Sequence, residues 1–160
     1  MSNTDVQLLT GSLFHDLVEQ AGRTARRRLN YNFHLGADDN PHRFLNVFLE
    51  GSYVRPHRHK DPPKSEAFLV LEGHMALFLF DDRGAVERSL VIGSGPHDDR
   101  GVDLPPGLWH TVVALTPHAI CYEVKPGPWN PATDKEFAAW APEEGSAEAP
   151  AYLRELLGRL

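Results

Sequence analysis

The chain is poor in cysteine, in basic residues relative to acidic ones, and in long apolar runs. Its single cysteine, Cys121, excludes an intrachain disulfide, so the fold must be held by a packed core or by a bound metal. Sixteen Lys and Arg stand against 22 Asp and Glu, a formal net charge of -6. That balance repels the phosphate backbone from which nucleic-acid binding draws most of its affinity, so no nucleic-acid partner is expected. The longest uninterrupted apolar stretch, residues 75–80, is far shorter than the roughly 20 residues that cross a bilayer. The opening MSNTDVQ has neither the basic nor the apolar region of a signal peptide, and a cytoplasmic protein without membrane contact is expected. What is abundant is Gly (13), Pro (13) and His (nine), in a chain of 160 residues that is 41% hydrophobic. One domain of that size can bury a sizeable core, turn residues at that frequency point to many short strands, and the excess imidazole points to ligands.

Leu13, Phe14, Leu17, Val18 and Ala21 recur at helical spacing behind a candidate N-cap at Thr10, which predicts an amphipathic helix running to about Leu29. Arg26, Arg27 and Arg28 would then meet the negative end of the helix dipole as a solvated terminus, with an anion-binding cluster as the alternative. After Pro41 the texture changes to short apolar or alternating runs closed by Gly, Pro or Asp, which predict strands near 43–50, 53–59, 66–71, 74–80, 86–92, 102–104, 109–115 and 119–125. Asp81 to Gly84 is the clearest hairpin turn and Glu72-Gly73 a tighter one. No strand alternates with a helix, so the fold class is all-β, a sandwich or closed barrel. Residues 1–40 are expected as a helical extension, 41–126 as the barrel, and 127–160 as a wrapping tail that ends in a short helix carrying Tyr152, Leu153, Leu156, Leu157 and Leu160.

In a strand, residues two apart share a face, so His57 and His59 in RPHRHK present paired imidazoles. Glu66 opens the next strand with the parity of Phe68 and Val70 and can point to the same interior. His110 starts a later strand after the Pro-Gly turn of PPGLWH. A barrel can bring these four strand-end residues together.

The segment from Gly51 to Gly73, G-x5-H-x-H-x6-E-x6-G, resembles the first cupin motif, and Pro105-x-Gly107-x-x-His110 resembles the second. The resemblance implies a jelly-roll barrel in which His57, His59, Glu66 and His110 bind one divalent ion, such as Fe, Zn, Ni or Mn. The gap between His59 and Glu66 is six residues, longer than usual for the motif, and Ala114 replaces the customary Asn. Gly51 through His59, the FDDRG turn, Trp109-His110, the run Glu123 to Pro128, Asn32-Phe33-His34 and the tail from Asp134-Lys135 to Gly145 are similar to the WbuC-type cupin metalloproteins. That family is associated with bacterial surface-polysaccharide gene clusters, which implies a link to polysaccharide metabolism without fixing a reaction.

Around the ligands, Arg55 and Tyr53 share the parity of His57; Arg55 reads as an anion clamp or a rim ion pair. Glu123 and Lys125 form a same-face pair that reads as an ion pair or as catalytic acid and base, and His34 as a cap or a pocket residue. Trp109 is expected to help enclose the site, and Cys121 to be a small core residue. A metal with open positions suits Lewis-acid isomerisation, epimerisation or lyase chemistry on a small oxygenated compound, with an anionic one expected, or dioxygen chemistry if the metal is iron. A non-catalytic ligand-binding cup is the alternative, with a metal-free epimerase a third reading. A homodimer is expected from the apolar surface that the terminal helix and tail bring to one small barrel.

Overall fold

A computed structural model describes residues 5–160. Helix α1 (Gly11–Gly22) begins where the Thr10 hydroxyl accepts a hydrogen bond from the Leu13 amide. It ends earlier than the apolar spacing suggests. Gly22 is a poor helix former, and the Thr24 hydroxyl donates to the Ala21 carbonyl while accepting from the Arg28 amide, closing a turn that redirects the chain. The arginine run therefore does not cap the helix, and Arg28 opens strand β1 (Arg28–Asn32).

The remaining strands are β2 (His42–Leu49), β3 (His57–Arg58), β4 (Glu66–Glu72), β5 (His74–Phe80), β6 (Val86–Gly93), β7 (Gly101–Leu104), β8 (Trp109–Ala114), β9 (His118–Lys125) and β10 (Glu136–Phe137), followed by helix α2 (Ala149–Leu157). They form two five-stranded antiparallel sheets, ordered β1-β2-β9-β4-β7 and β10-β3-β8-β5-β6, in the cupin-type jelly roll that the motifs imply. Residues 53–56, expected as strand, are not paired as one. Pro56 has no amide hydrogen to donate, and the Val54 carbonyl is met by the Thr111 hydroxyl at 2.6 Å instead of by an amide.

Alternation sorts the side chains of each strand. Phe48, Phe68, Val70, Met75, Leu77, Val112 and Cys121 fill the space between the sheets. Leu45, Val47 and Ile120 point outward from the first sheet and are covered by Leu17 and Ala21 of α1. Ala76, Phe78 and Val113 point outward from the second and are covered by Ala149, Leu153 and Leu156 of α2. The apolar contribution thus comes from three contiguous clusters, while the end of the barrel near β1, β3 and the tail is left to polar groups. Among the described residues, no helix is long and apolar enough to cross a membrane.

Candidate metal centre

His57 of β3 lies opposite His110 of β8 in register, and their ring centroids are 4.5 Å apart. Glu66, the first residue of β4, comes from the other sheet, and His59 from the loop that follows β3. The four side chains offer ligand atoms that all lie within 4.8 Å of one another, and each residue is only 2–4% exposed. The long interval between His59 and Glu66 is taken up by a turn in which Lys60 bridges to Pro63 before the chain re-enters the first sheet.

The imidazole hydrogen bonds decide what the rings can do. His57 Nδ1 faces the Arg55 carbonyl at 3.0 Å, His110 Nδ1 the Leu108 carbonyl at 2.9 Å, and His59 Nδ1 the Asp134 carbonyl. A carbonyl only accepts, so each Nδ1 carries its hydrogen and each ring, with no second proton, turns the Nε2 lone pair inward. His59 Nε2 is 3.0 Å from Glu66 Oε1, and His110 Nε2 is 2.9 Å from Glu66 Oε2. His59 Nε2 and Glu66 Oε2 are buried without a hydrogen-bond partner. Lone pairs facing lone pairs at this range need either additional protons, which would bury imidazolium rings, or a shared cation. Burial holds the His57 ring well below its usual basicity, with the nearby Lys135 and His110 adding to the effect, so the ring is neutral at pH 7. Burial would push the Glu66 carboxyl up, and only positive charge against its oxygens, from protons on the facing His110 and His59 nitrogens or from a shared cation in their place, holds it well below the usual range. Three imidazoles and one carboxylate are the donor set of a borderline divalent ion, and the residues fit one.

A cavity of about 270 Å³ opens from His57, Glu66 and His110 toward Glu123, Lys125 and Lys135. Glu123 sits on β9 opposite Phe68 and is hydrogen-bonded by the Asn46 amide. Burial and the Glu66 charge push its carboxyl well above the usual range, with Lys125 opposing them. Lys125 stays an ammonium: burial opposes the charge, but Glu123, Glu66 and Asp134 outweigh it. It lies 3.8 Å from both glutamates and 3.1 Å from Asp134.

Other candidates lie elsewhere. Arg55 turns away from the cavity: its guanidinium donates to the Ala138 carbonyl at 2.8 Å and lies 3.6 Å from Glu143, because the unpaired backbone of 53–56 breaks the parity that would have aimed it inward. For the same reason Tyr53 points outward, donating to the Pro142 carbonyl at 2.9 Å and packing on Tyr152. Trp109 lies on the face of β8 opposite His110, where it bonds Asp82 and stacks under Arg58 with 4.2 Å to the ring. His34 stacks on His42 at 4.0 Å in an outer groove and does not line the inner cavity. Cys121 is a core residue, and burial pushes its thiol well up.

Lys135, Asp134, Lys64 and Asn46 were not singled out by sequence reasoning. Asp134 accepts from Lys64 at 2.8 Å and from Lys125, and its carbonyl orients His59. The likeness of Asp134-Lys135 to the WbuC-type tail was the one signal that pointed at this segment.

Residues 9–92 match the profile of the family described as "Domain of unknown function (DUF6016)", and no curated protein sequence matches the chain. Protein SO0799 from Shewanella oneidensis is similar in structure, with TM-score 0.57 and 8% identity over 76% of this chain and 82% of its own. The capsular polysaccharide assembling protein CapF from Staphylococcus aureus is similar with TM-score 0.51 and 21% identity over 62% of this chain. A cupin 2 conserved barrel domain protein from Leptotrichia buccalis is similar over 61% of this chain, with 18% identity and TM-score 0.46. The chain spans only 27% of CapF and 39% of the Leptotrichia protein. For the Shewanella protein and CapF, at these identities, the shared property is the fold.

Proposed function

We propose that this chain, which belongs to the DUF6016 family, binds one divalent metal ion through His57, His59, Glu66 and His110 and is an enzyme of the WbuC-type cupin group acting on a small oxygen-rich compound. The observation that carries the metal is the set of inward Nε2 lone pairs set against the buried Glu66 carboxylate, with every Nδ1 already engaged. When bound, the ion supplies a Lewis acid that polarises oxygens of a chelating hydroxy acid, ketose or enediol. Glu123 stands beside this centre as a buried carboxyl that burial and the Glu66 charge make hold a proton more firmly than usual, and Lys125, 3.8 Å from it, offsets the charge it develops on releasing one. That pairing of an electrophilic site with a proton donor supports isomerase, epimerase or lyase chemistry.

Elemental analysis of the purified protein tests the first part. Wild type and His118→Ala should carry stoichiometric metal, because His118 is bonded to Glu72 outside the cluster, while His57→Ala and Glu66→Ala should lose it. Equal metal in all four proteins would overturn the assignment. For the chemistry, exchange of a carbon-bound proton in D2O across a panel of ketoses and hydroxy acids should appear with wild type. It should fall at least about a hundredfold in Glu123→Gln, the scale of a lost general acid or base, at unchanged metal content.

A further inference from the structure

We propose, resting on the reading of the barrel as a metal-dependent ligand site, that its ligand is anionic and that Arg26 and Lys135 hold the carboxylate or phosphate group. The cations around the cavity divide into those already matched by acids and those left free. Arg28 is bound to Glu144 at 2.6 Å and to the Tyr53 carbonyl at 2.7 Å. Lys125 and Lys64 are held by Asp134. Lys135 and Arg26 also line the cavity, yet among the described residues neither has a carboxylate within the 4.0 Å of an ion pair or an acceptor for its side-chain nitrogens. Lys135 is half-buried, so its ammonium is only partly solvated, and such a group is stabilised when a ligand brings an acceptor.

The backbone around Lys135 is fixed on both sides. The preceding carbonyl, of Asp134, takes the His59 ring, and the following residue, Glu136, is gripped by Arg58 at 2.8 Å. The root of the lysine is therefore fixed before any ligand arrives, which lowers the backbone part of the ordering cost of binding. Desolvation and then the nearby Lys125 work against the charge of Lys135, and an anion offsets both. Arg26 occupies the mouth. It lines the inner cavity and also an outer groove of about 820 Å³, and the two spaces share Arg28, Phe44, Lys125 and Trp129, so they adjoin. Its carbonyl is pinned by the Ser52 hydroxyl at 3.0 Å, leaving the guanidinium fork free to grip two oxygens. In a chain of net charge -6, this unmatched pair is a local arrangement that does not follow from a basic surface. The inner volume lies just under the range of about 300 to 1,000 Å³ usual for ligand pockets, which suits a compound of sugar-acid size.

Gluconate and sorbitol carry the same run of hydroxyls and differ at one end by a carboxylate, so calorimetric titration of the full-length protein with each isolates the charge. Gluconate should bind about tenfold tighter or more, the scale of one charge-assisted contact. Lys135→Met and Arg26→Gln should each remove most of that preference while leaving sorbitol affinity and metal content unchanged; Arg26 is exposed, so its variant keeps the test open if the lysine variant folds poorly. Glucose 6-phosphate replacing gluconate as the preferred ligand would assign the group as phosphate. Equal affinity for gluconate, glucose 6-phosphate and sorbitol, or full preference retained in both variants, would overturn the proposal. Protein stripped of metal by chelator separates this from the metal assignment: inorganic phosphate should still raise its Tm, and Lys135→Met should abolish that rise. Phosphate that protects neither the stripped wild type nor the variant would refute the anion subsite even where metal is bound.

Discussion

Asp134 connects the tail to the chemistry. Its carboxylate takes Lys64 at 2.8 Å and Lys125 at 3.1 Å while its carbonyl holds His59. Asp134→Asn leaves two buried ammonium groups short of a counter-charge and should destabilise the protein by about 3 kcal/mol, read as a lower urea midpoint at unchanged slope. Burial alone would push the Asp134 carboxyl up, but Lys125 and Lys64 hold it below its usual value. A depressed carboxyl contributes stability that is present above the unfolded pKa and lost as pH falls through the folded one. The gap between wild type and Asp134→Asn should accordingly be full at pH 7 and shrink in the acid range below the ordinary carboxylate value. A gap independent of pH would show that the side chain acts by shape and not by charge. The four candidate ligands were legible because parity and motif spacing concern neighbours in one strand or turn. Asp134 and Lys135 were not, since their role depends on a tail returning to the barrel mouth, and no local period records that return.

At the level of elements, the strands with an apolar run between turns were legible, the four-residue β7 among them, whereas β1 and β10 were not expected and β3 was expected longer, at 53–59. Strands β4, β5, β6 and β9 show apolar residues or a clear turn at each end, whereas β1 is polar and β3 and β10 have only two residues each. Those short pieces are held by the surrounding structure: Glu136 pairs with Arg58 in register, and Ala138 donates to the Pro56 carbonyl at 2.9 Å. The tail is also clamped on the β5–β6 hairpin, where Trp140 stacks on Phe80 at 5.0 Å and lies over Gly84. Gly84 has φ +90°, and a Cβ there would approach the Trp140 ring to 2.6 Å. Gly84→Ala should cost about 1 to 3 kcal/mol from backbone strain and the displaced indole together. Because this contact lies on the outer face of the second sheet, the substitution should lower Tm while metal content stays at the wild-type level. An unchanged Tm would mean that the indole does not rest on the hairpin in solution.

For the molecule as a whole, the donor set spans parts that the apolar clusters join only in part. Glu66 belongs to the first sheet, His57 and His110 to the second, and His59 to a loop fastened by the tail. The interior between the sheets is apolar toward Met75 and Leu77 and ionic at the other end, where Glu66 faces His59 and His110. A cation held there joins both sheets and the tail at the end where the apolar core stops. Its binding to the folded chain alone stabilises by about 2.7 kcal/mol at a hundred times Kd. For a domain of this size that corresponds to roughly 5 to 10 °C in Tm. Chelator should lower the Tm of wild type by that order and added divalent metal should restore it. His57→Ala should melt near the stripped wild type and respond to neither treatment. A wild-type Tm indifferent to chelator, in protein shown by elemental analysis to have lost its metal, would mean that the sheets are joined by packing alone and that the ion serves only the ligand.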